Sequence, residues 1–352
     1  METDTFVTMR DYSENSAVQN KAAFRLSEMI EQVLGGMDFS IPSESTQIIV
    51  VEFGCATGSS SIDPLNQILR ASKVNGRRIC AVMNDLPLND WDTLQTTLKE
   101  KVPKVDVQVS CQSMYKDVVA APGSVDIAYS CFAQHWLSKG VPRPLPVNTG
   151  ALWGNQLAGL LEYEEIHDEW ARASSDDWDR FLELRAQEIR AGGVLMLLIY
   201  SAQHNGSLWE SMAEACRLAK KQCLVDGIFT VDEASCMCAP EYAKTRDEIL
   251  KPLTDGPHAS KWAVLECRHN LFHHNDDPNI SGQEKAKKAV ALARSFIDSS
   301  FEQAFDESVR EYKMDIFWQT VYLQLGENDD LLYHVNNYGE TMIALKRKDS
   351  HN

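Results

Sequence analysis

Two carboxylates and two glycines at the ends of apolar runs carry the first chemical signal in this chain. Glu52-x-Gly54-x-x-x-Gly58 follows the β-branched run Ile48-Ile49-Val50-Val51 and precedes an amphipathic stretch that starts at Ile62. Glycines in such a turn let the backbone approach a ligand closely, and the adjacent acid can accept from a ribose or an amino group. The spacing is neither G-x-G-x-x-G nor G-x-x-x-x-G-K-[ST], which weakens the dinucleotide and P-loop readings. A second apolar run, Ile79 to Met83, ends in Asn84-Asp85-Leu86-Pro87, and an acid at that place can take both hydroxyls of a ribose. Glu52 and Asp85 together suggest adenosine held without a pyrophosphate clamp, which points to S-adenosylmethionine (SAM). Taken alone, the same residues are equally a tight turn and a loop carboxylate.

The elements that must position these residues alternate. Apolar positions at helical spacing run over 17–34 and stop at Gly35-Gly36. Strands are expected at 48–53, 79–83, 105–109, 125–129 and 194–200, with helices at 62–73 and 178–189 and the pair Gly192-Gly193 before the fifth strand. Residues 139–177 hold a Pro/Gly-rich loop and an acidic helix, 203–260 and 282–325 read as mostly helical, and 261–273 and 341–346 are further strand candidates. The expected fold is α/β, a Rossmann-like, mostly parallel sheet of seven strands with an α-helical cap formed by insertions. The sheet domain is expected over 47–142, 178–202, 261–273 and 340–348, and the cap and substrate-binding region over 1–46, 143–177, 203–260 and 274–339.

Composition excludes whole classes of function. The 352 residues carry 34 basic and 51 acidic side chains, a formal net charge of −17 that repels nucleic acid and anionic membranes. The longest strongly apolar run, Val194 to Tyr200, is too short to span a bilayer. The polar, acidic start and nine cysteines without a C-x-x-C lead to the expectation of a soluble cytoplasmic protein with free thiols.

Three further segments carry a resemblance: Tyr12-Ser13-Glu14-Asn15-Ser16-Ala17-Val18-Gln19, Ser130-Cys131-Phe132-Ala133-Gln134-His135-Trp136-Leu137-Ser138, and Asp177-Trp178 through Arg185, Glu188 and Gly192-Gly193. With the two acidic turns, they resemble the SABATH family of SAM-dependent methyltransferases, in order and over nearly the whole chain. That family methylates carboxyl groups of small acids and ring nitrogens of purine alkaloids. The resemblance implies that Tyr12 and Ser16 close over SAM, that Glu52 (an aspartate in most of the family) faces its methionine end with Gly54, and that Asp85 holds the ribose. Leu86 would pack on the adenine, flanked by Ser113 and Met114, and Ser60 and Cys131 join the same cofactor set. Gln19 and Trp136 match the pair that holds a substrate carboxylate, and Phe132 and His135 would line the acceptor pocket. Gln19, Trp136 and His135 are thus the candidate catalytic residues, with His135 open between hydrogen bonding, acting as a base and shaping the pocket. The resemblance also implies a homodimer.

The departures bear on the substrate. Ser60 stands at a family asparagine, Met114 at an aromatic, and Asp4 where some members have a lysine. Some plant members hold magnesium through an asparagine, matched by Asn148, and an Asp-x-Phe-Asn segment. The latter falls here on Ser235-Cys236-Met237-Cys238, which lacks the oxygen ligands a hard cation wants. No metal is expected, and His258, His269, His273 and His274 do not form a convincing zinc set. The expected reaction is in-line transfer of a methyl group from SAM to the carboxylate of a small organic acid, leaving S-adenosylhomocysteine. Such a carboxylate is already ionised at neutral pH and needs no general base. The alternatives are N-methylation of a small heterocycle and a catalytically silent protein that binds SAM or a metabolite. Arg172, Arg180 and Arg246 are candidate partners for a second carboxylate.

Overall fold

Five apolar runs form parallel strands: β1 (Gln47–Phe53), β2 (Arg78–Asp85), β3 (Val105–Cys111), β4 (Val125–Cys131) and β5 (Ile189–Ala202). Two later strands, β7 (Trp262–Phe272) and β8 (Tyr338–Arg347), pair antiparallel, and β8 inserts between β5 and β7. The sheet order is β3-β2-β1-β4-β5-β8-β7, with a two-residue strand, β6 (Lys244–Thr245), attached to the end of β5. The structure is a computed structural model that describes residues 17–36, 46–71, 76–142, 144–147, 163–202, 210–272, 280–334 and 338–349.

The inner strands β1, β2, β4 and β5 are buried over most of their length because both faces are covered, whereas the edge strand β3 alternates with polar residues and is largely exposed. On one face lie α1 (Ala17–Gly35), α2 (Ile62–Arg70) and α3 (Trp91–Lys101), through Leu26, Ile30, Leu65, Ile68, Leu94 and Leu98. On the other lie α4 (Tyr163–Glu188) and α7 (Arg246–Thr254), through Trp178, Phe181, Leu182, Ile249 and Leu253. A separate apolar core joins α5 (Glu210–Val225), α6 (Val231–Cys236), α8 (Gly282–Phe301), α9 (Glu307–Glu327) and α10 (Asp329–His334) beyond the sheet. No helix among the described residues is long and apolar enough to cross a membrane.

Three boundaries differ from the sequence expectation. The acidic stretch and the helix expected at 178–189 are one element, α4, because Ile166, Trp170, Trp178 and Leu182 keep a buried stripe along it. Strand β5 starts at Ile189 and runs through both glycines rather than after them. A Cβ on Gly193 would sit 3.0 Å from the Val125 carbonyl, and the β4–β5 register shifts between Val125 and Ile127, so glycine lets the two strands pass closely there. The second helix ends at Arg70, not near residue 73.

The chain leaves β1 toward β2 and β3 and returns to β4 on β1's other side, so the sheet order reverses between β1 and β4. Ligands of open α/β sheets bind outside the strand ends at such a reversal. Phe53 is level with Asn84 of β2 and Ser130 of β4, which brings Gly54, Asp85 and Cys131 to one edge.

Candidate active site

The edge formed by β1 and β2 is held by backbone hydrogen bonds. The N–H groups of Gly54 and Cys55 donate to the Asn84 carbonyl at 2.8 and 3.2 Å. Gly54 has φ +75°, and a Cβ there would fall 2.5 Å from the Ala133 Cβ, so the turns after β1 and β4 touch at a place that admits no side chain. Ala56 adopts φ +45°, an uncommon conformation for a residue with a Cβ. It is fixed on both sides: its N–H donates to Asp85 Oδ2 at 2.7 Å and its carbonyl accepts from Asn89 Nδ2 at 2.8 Å. The other Asp85 oxygen accepts from Leu86 N–H at 2.7 Å. Burial raises the Asp85 carboxyl above its ordinary value, and these two N–H groups work against that rise. Glu52 is buried beneath the turn, where Tyr129 Oη donates to it at 2.9 Å, and burial moves its carboxyl up to about 7. Ser60 is buried in the short 3-10 turn Ser59–Ser61.

Half-buried Leu86, Ser113 and Met114 lie near this edge. The Met114 loop is supported from below. Arg185 is fully buried, donates to the Met114 carbonyl at 2.9 Å and to Glu188 at 2.6 Å, and sits 4.2 Å over the Phe53 ring. Glu188 in turn accepts from the Val119 and Ala120 N–H groups. Arg185 and Glu188 of the sequence pattern are therefore a brace for the loop of Ser113 and Met114. Cys131 is half-buried at the end of β4, with burial and then the charge of Glu52 pushing its thiol well up, so it is no thiolate. The Asp85 carboxylate, whose two oxygens each keep a lone pair beyond the one N–H they accept, and a turn with a steric ban on side chains suit an adenosine ligand with a short polar tail.

The segment after β4 builds the second half. Phe132 has φ +54°, with its N–H held by the Leu198 carbonyl at 2.8 Å. His135 packs between Trp136 and Tyr200, with ring centroids 4.9 and 5.2 Å away. Phe132 meets Tyr200 edge-on at 6.1 Å, and Trp136 meets Phe296 of α8 at 6.3 Å. The chain at 239–242 closes this wall: Tyr242 N–H donates to the His135 carbonyl and Leu137 N–H to the Pro240 carbonyl, both at 2.8 Å, and Trp136 pairs antiparallel with Glu241. Burial, then the Lys244 charge, lowers His135 to about 3, so its imidazole is neutral at physiological pH. His135 Nδ1, Trp136 Nε1 and Gln134 Oε1 are buried without a hydrogen-bond partner among the described residues.

Tyr12 and Ser16 lie outside the described residues, as do Asp4 and Asn148. Gln19 stands on the first turn of α1, with its side chain outside the described set. The arginines offered for a second carboxylate are elsewhere: Arg180 donates to the Tyr115 and Lys116 carbonyls, Arg246 lies by Asp247, and Arg172 is exposed. The buried cations of this region are Lys220 and Lys244, each lowered to about 8 by burial. Lys244 Nζ donates to the Gln134 carbonyl at 2.8 Å. Sequence reasoning missed both lysines, Glu241 and Phe296; Tyr200 alone had a signal, as the polar-tipped end of the fifth strand's apolar run. His269 joins Ser201 and Thr341 in a hydroxyl network, and no group of three metal-ligating side chains clusters among the described residues.

The family model described as SAM dependent carboxyl methyltransferase matches residues 8–348. "O-methyltransferase acrG" of Aspergillus aculeatus is 28% identical over 292 residues, 79% of this chain and 74% of its own length. "Probable caffeine synthase 4" of Camellia sinensis is 24% identical over 323 residues, 82% of this chain and 85% of its own. Among solved structures, loganic acid methyltransferase with SAH aligns at a TM-score of 0.82 and 16% identity, covering 98% of this chain and 99% of that one, a likeness of fold.

Proposed function

The chain belongs to the family of SAM-dependent carboxyl methyltransferases, and from that premise we propose that its acceptor is the carboxylate of a small organic acid, released as a methyl ester. The observation that supports this reading is the Trp136 indole N–H, buried without a partner beside the neutral His135. A neutral donor fixes a carboxylate oxygen without quenching the charge that attacks, whereas a lysine or arginine would also stabilise the ground state. SAM, when bound, supplies an electrophilic methyl group on a sulfonium. Asp85 would hold its ribose, Leu86, Ser113 and Met114 its adenine, and Glu52 and Gly54 its methionine end, with Ser60 and Cys131 alongside and Tyr12 and Ser16 closing from the N-terminal side.

Gln19 would complete the acceptor clamp from α1. That helix is fastened to the sheet by Arg25, which reaches both carboxylate oxygens of the buried Glu340 at 2.8 and 2.5 Å. Phe132 and His135 would align the acid and keep water out, which is most of what an in-line displacement by an ionised carboxylate needs. The same proposal includes a homodimer, which sedimentation checks.

Transfer of labelled methyl from SAM to a panel of small mono- and dicarboxylic acids, xanthines and indoles tests the reading. Base-labile, volatile counts are expected. Base-stable counts move the acceptor to nitrogen, a reading favoured by the buried Glu241 carboxyl beside Trp136, which could accept from a ring N–H. SAM binding without counts on any acceptor leaves a binding protein in place of the ester-forming enzyme.

A further inference from the structure

The mechanism above leaves one buried titratable group of the acceptor wall without a task. Glu241 is 8% exposed, yet among the described residues no hydrogen bond or opposite charge offsets the burial of its carboxyl. It stands directly opposite Trp136 in an antiparallel bridge, so the two side chains leave the same face of the paired segments. Its charge helps to raise the thiols of Cys216 on α5 and of Cys238. No cationic side chain offsets its burial. The buried Lys244 is turned away, onto the Gln134 carbonyl.

An uncompensated buried carboxyl is costly and is not kept for packing, which an apolar residue of the same volume does better. Here it shares one wall with two other partnerless polar atoms, Trp136 Nε1 and His135 Nδ1. One buried donor, one buried imidazole nitrogen and one nearly buried acceptor, all on adjoining backbone, describe a mould for a molecule that accepts at one end and donates at the other.

We propose that Glu241 is a specificity-determining residue, accepting a hydrogen bond from a hydroxyl or N–H group that the acceptor carries in addition to its methylated atom. The substrate class is then narrowed from small acids to hydroxy acids or acids with a ring N–H. The inference rests on the proposed seating of the acceptor at Trp136, and it holds whichever atom takes the methyl group.

The test is calorimetric binding of matched probes to the protein loaded with S-adenosylhomocysteine: 3- and 4-hydroxybenzoate against benzoate, lactate against propionate, and indole-2-carboxylate against benzofuran-2-carboxylate. The wild type is expected to favour the donor-bearing member of at least one pair by about 10-fold or more, since a site built to bond a donor rejects the analogue that lacks it. Glu241→Gln keeps an acceptor oxygen and should retain part of that preference. Glu241→Leu should abolish it, leave S-adenosylhomocysteine affinity unchanged and raise the apoprotein's Tm by about 2–4 °C, because a buried carboxyl has been replaced by an apolar group. A wild type that distinguishes no pair overturns the proposal. So does a Glu241→Leu protein that keeps the wild-type ranking, or one that melts earlier than wild type, which would make Glu241 a structural residue. Base lability of the labelled product is scored separately and judges the carboxylate reading alone.

Discussion

The two halves of the active edge treat their polar atoms in opposite ways. Around the β1 and β2 turns, Asp85, Asn84, Glu52 and the strained Ala56 all have protein partners, and the Ser59 hydroxyl is a buried exception. Around the β4 turn, Gln134 Oε1, His135 Nδ1, Trp136 Nε1 and the Glu241 carboxyl have none among the described residues. A satisfied site is rigid before its ligand arrives, which suits a cofactor common to a whole family. An unsatisfied one depends on a guest to complete it, so its chemistry is that of the particular acceptor. The comparison teaches where to look for identity in this fold: in the polar atoms the protein leaves unanswered.

The largest effect should come from the brace under the satisfied half. Arg185→Met leaves the buried Glu188 without its cation, and unfolding in urea should show a loss of about 3–5 kcal/mol. An unchanged midpoint would mean that the brace is decoration. Next, Trp136→Phe should lower transfer to the acid by about 100-fold or more, the usual effect of losing one preorganised donor, with SAM affinity kept within a few-fold. Loss of SAM binding in that variant would erase the division between the halves. Asp85→Ala should weaken SAM by about 1.5–3 kcal/mol for each charge-assisted bond lost, read by calorimetry, while acid KM stays near wild type.

The smallest effect is in the pH dependence of the apoprotein. Glu52 and Glu241 are raised by burial from 4.5 to about 7 in the fold, so the stability this contributes is full below about 4.5 and gone above about 7. His135 is lowered from 6.5 to about 3, and its contribution is present above 6.5 and lost as pH falls. The Tm of Glu241→Leu should therefore decline less than that of wild type between pH 5 and about 7.5. Equal slopes would show that Glu241 does not titrate in the fold.

The legible parts of this molecule are those whose signal lies in contiguous residues. Strands β1, β2, β4 and β5 announced themselves because a parallel sheet covered on both faces needs apolar runs, β3 through the alternation of its valines, and Asp85 followed from its place at a strand end. The Arg185–Glu188 brace was visible only as two residues of a pattern; its task came from Met114 and Phe53, 71 and 132 residues away. Lys220, Lys244 and Glu241 were unreadable, since charged residues on amphipathic segments are normally solvated and only the closing of the cap buries them. The start of β5 was misplaced because glycines read as a breaker, where here they admit a neighbouring strand.

Strand β8 has a consequence for the birth of the protein. Among the described residues strand β7 pairs in the sheet with β8 alone, and Glu340, the anchor for Arg25, also belongs to β8. A chain emerging from the ribosome can form its glycine turn early, but neither the outer sheet nor the seating of α1 exists until residues 338–347 are out. Competence to transfer a methyl group thus waits for these residues, and a chain halted before them would lack the seat of α1.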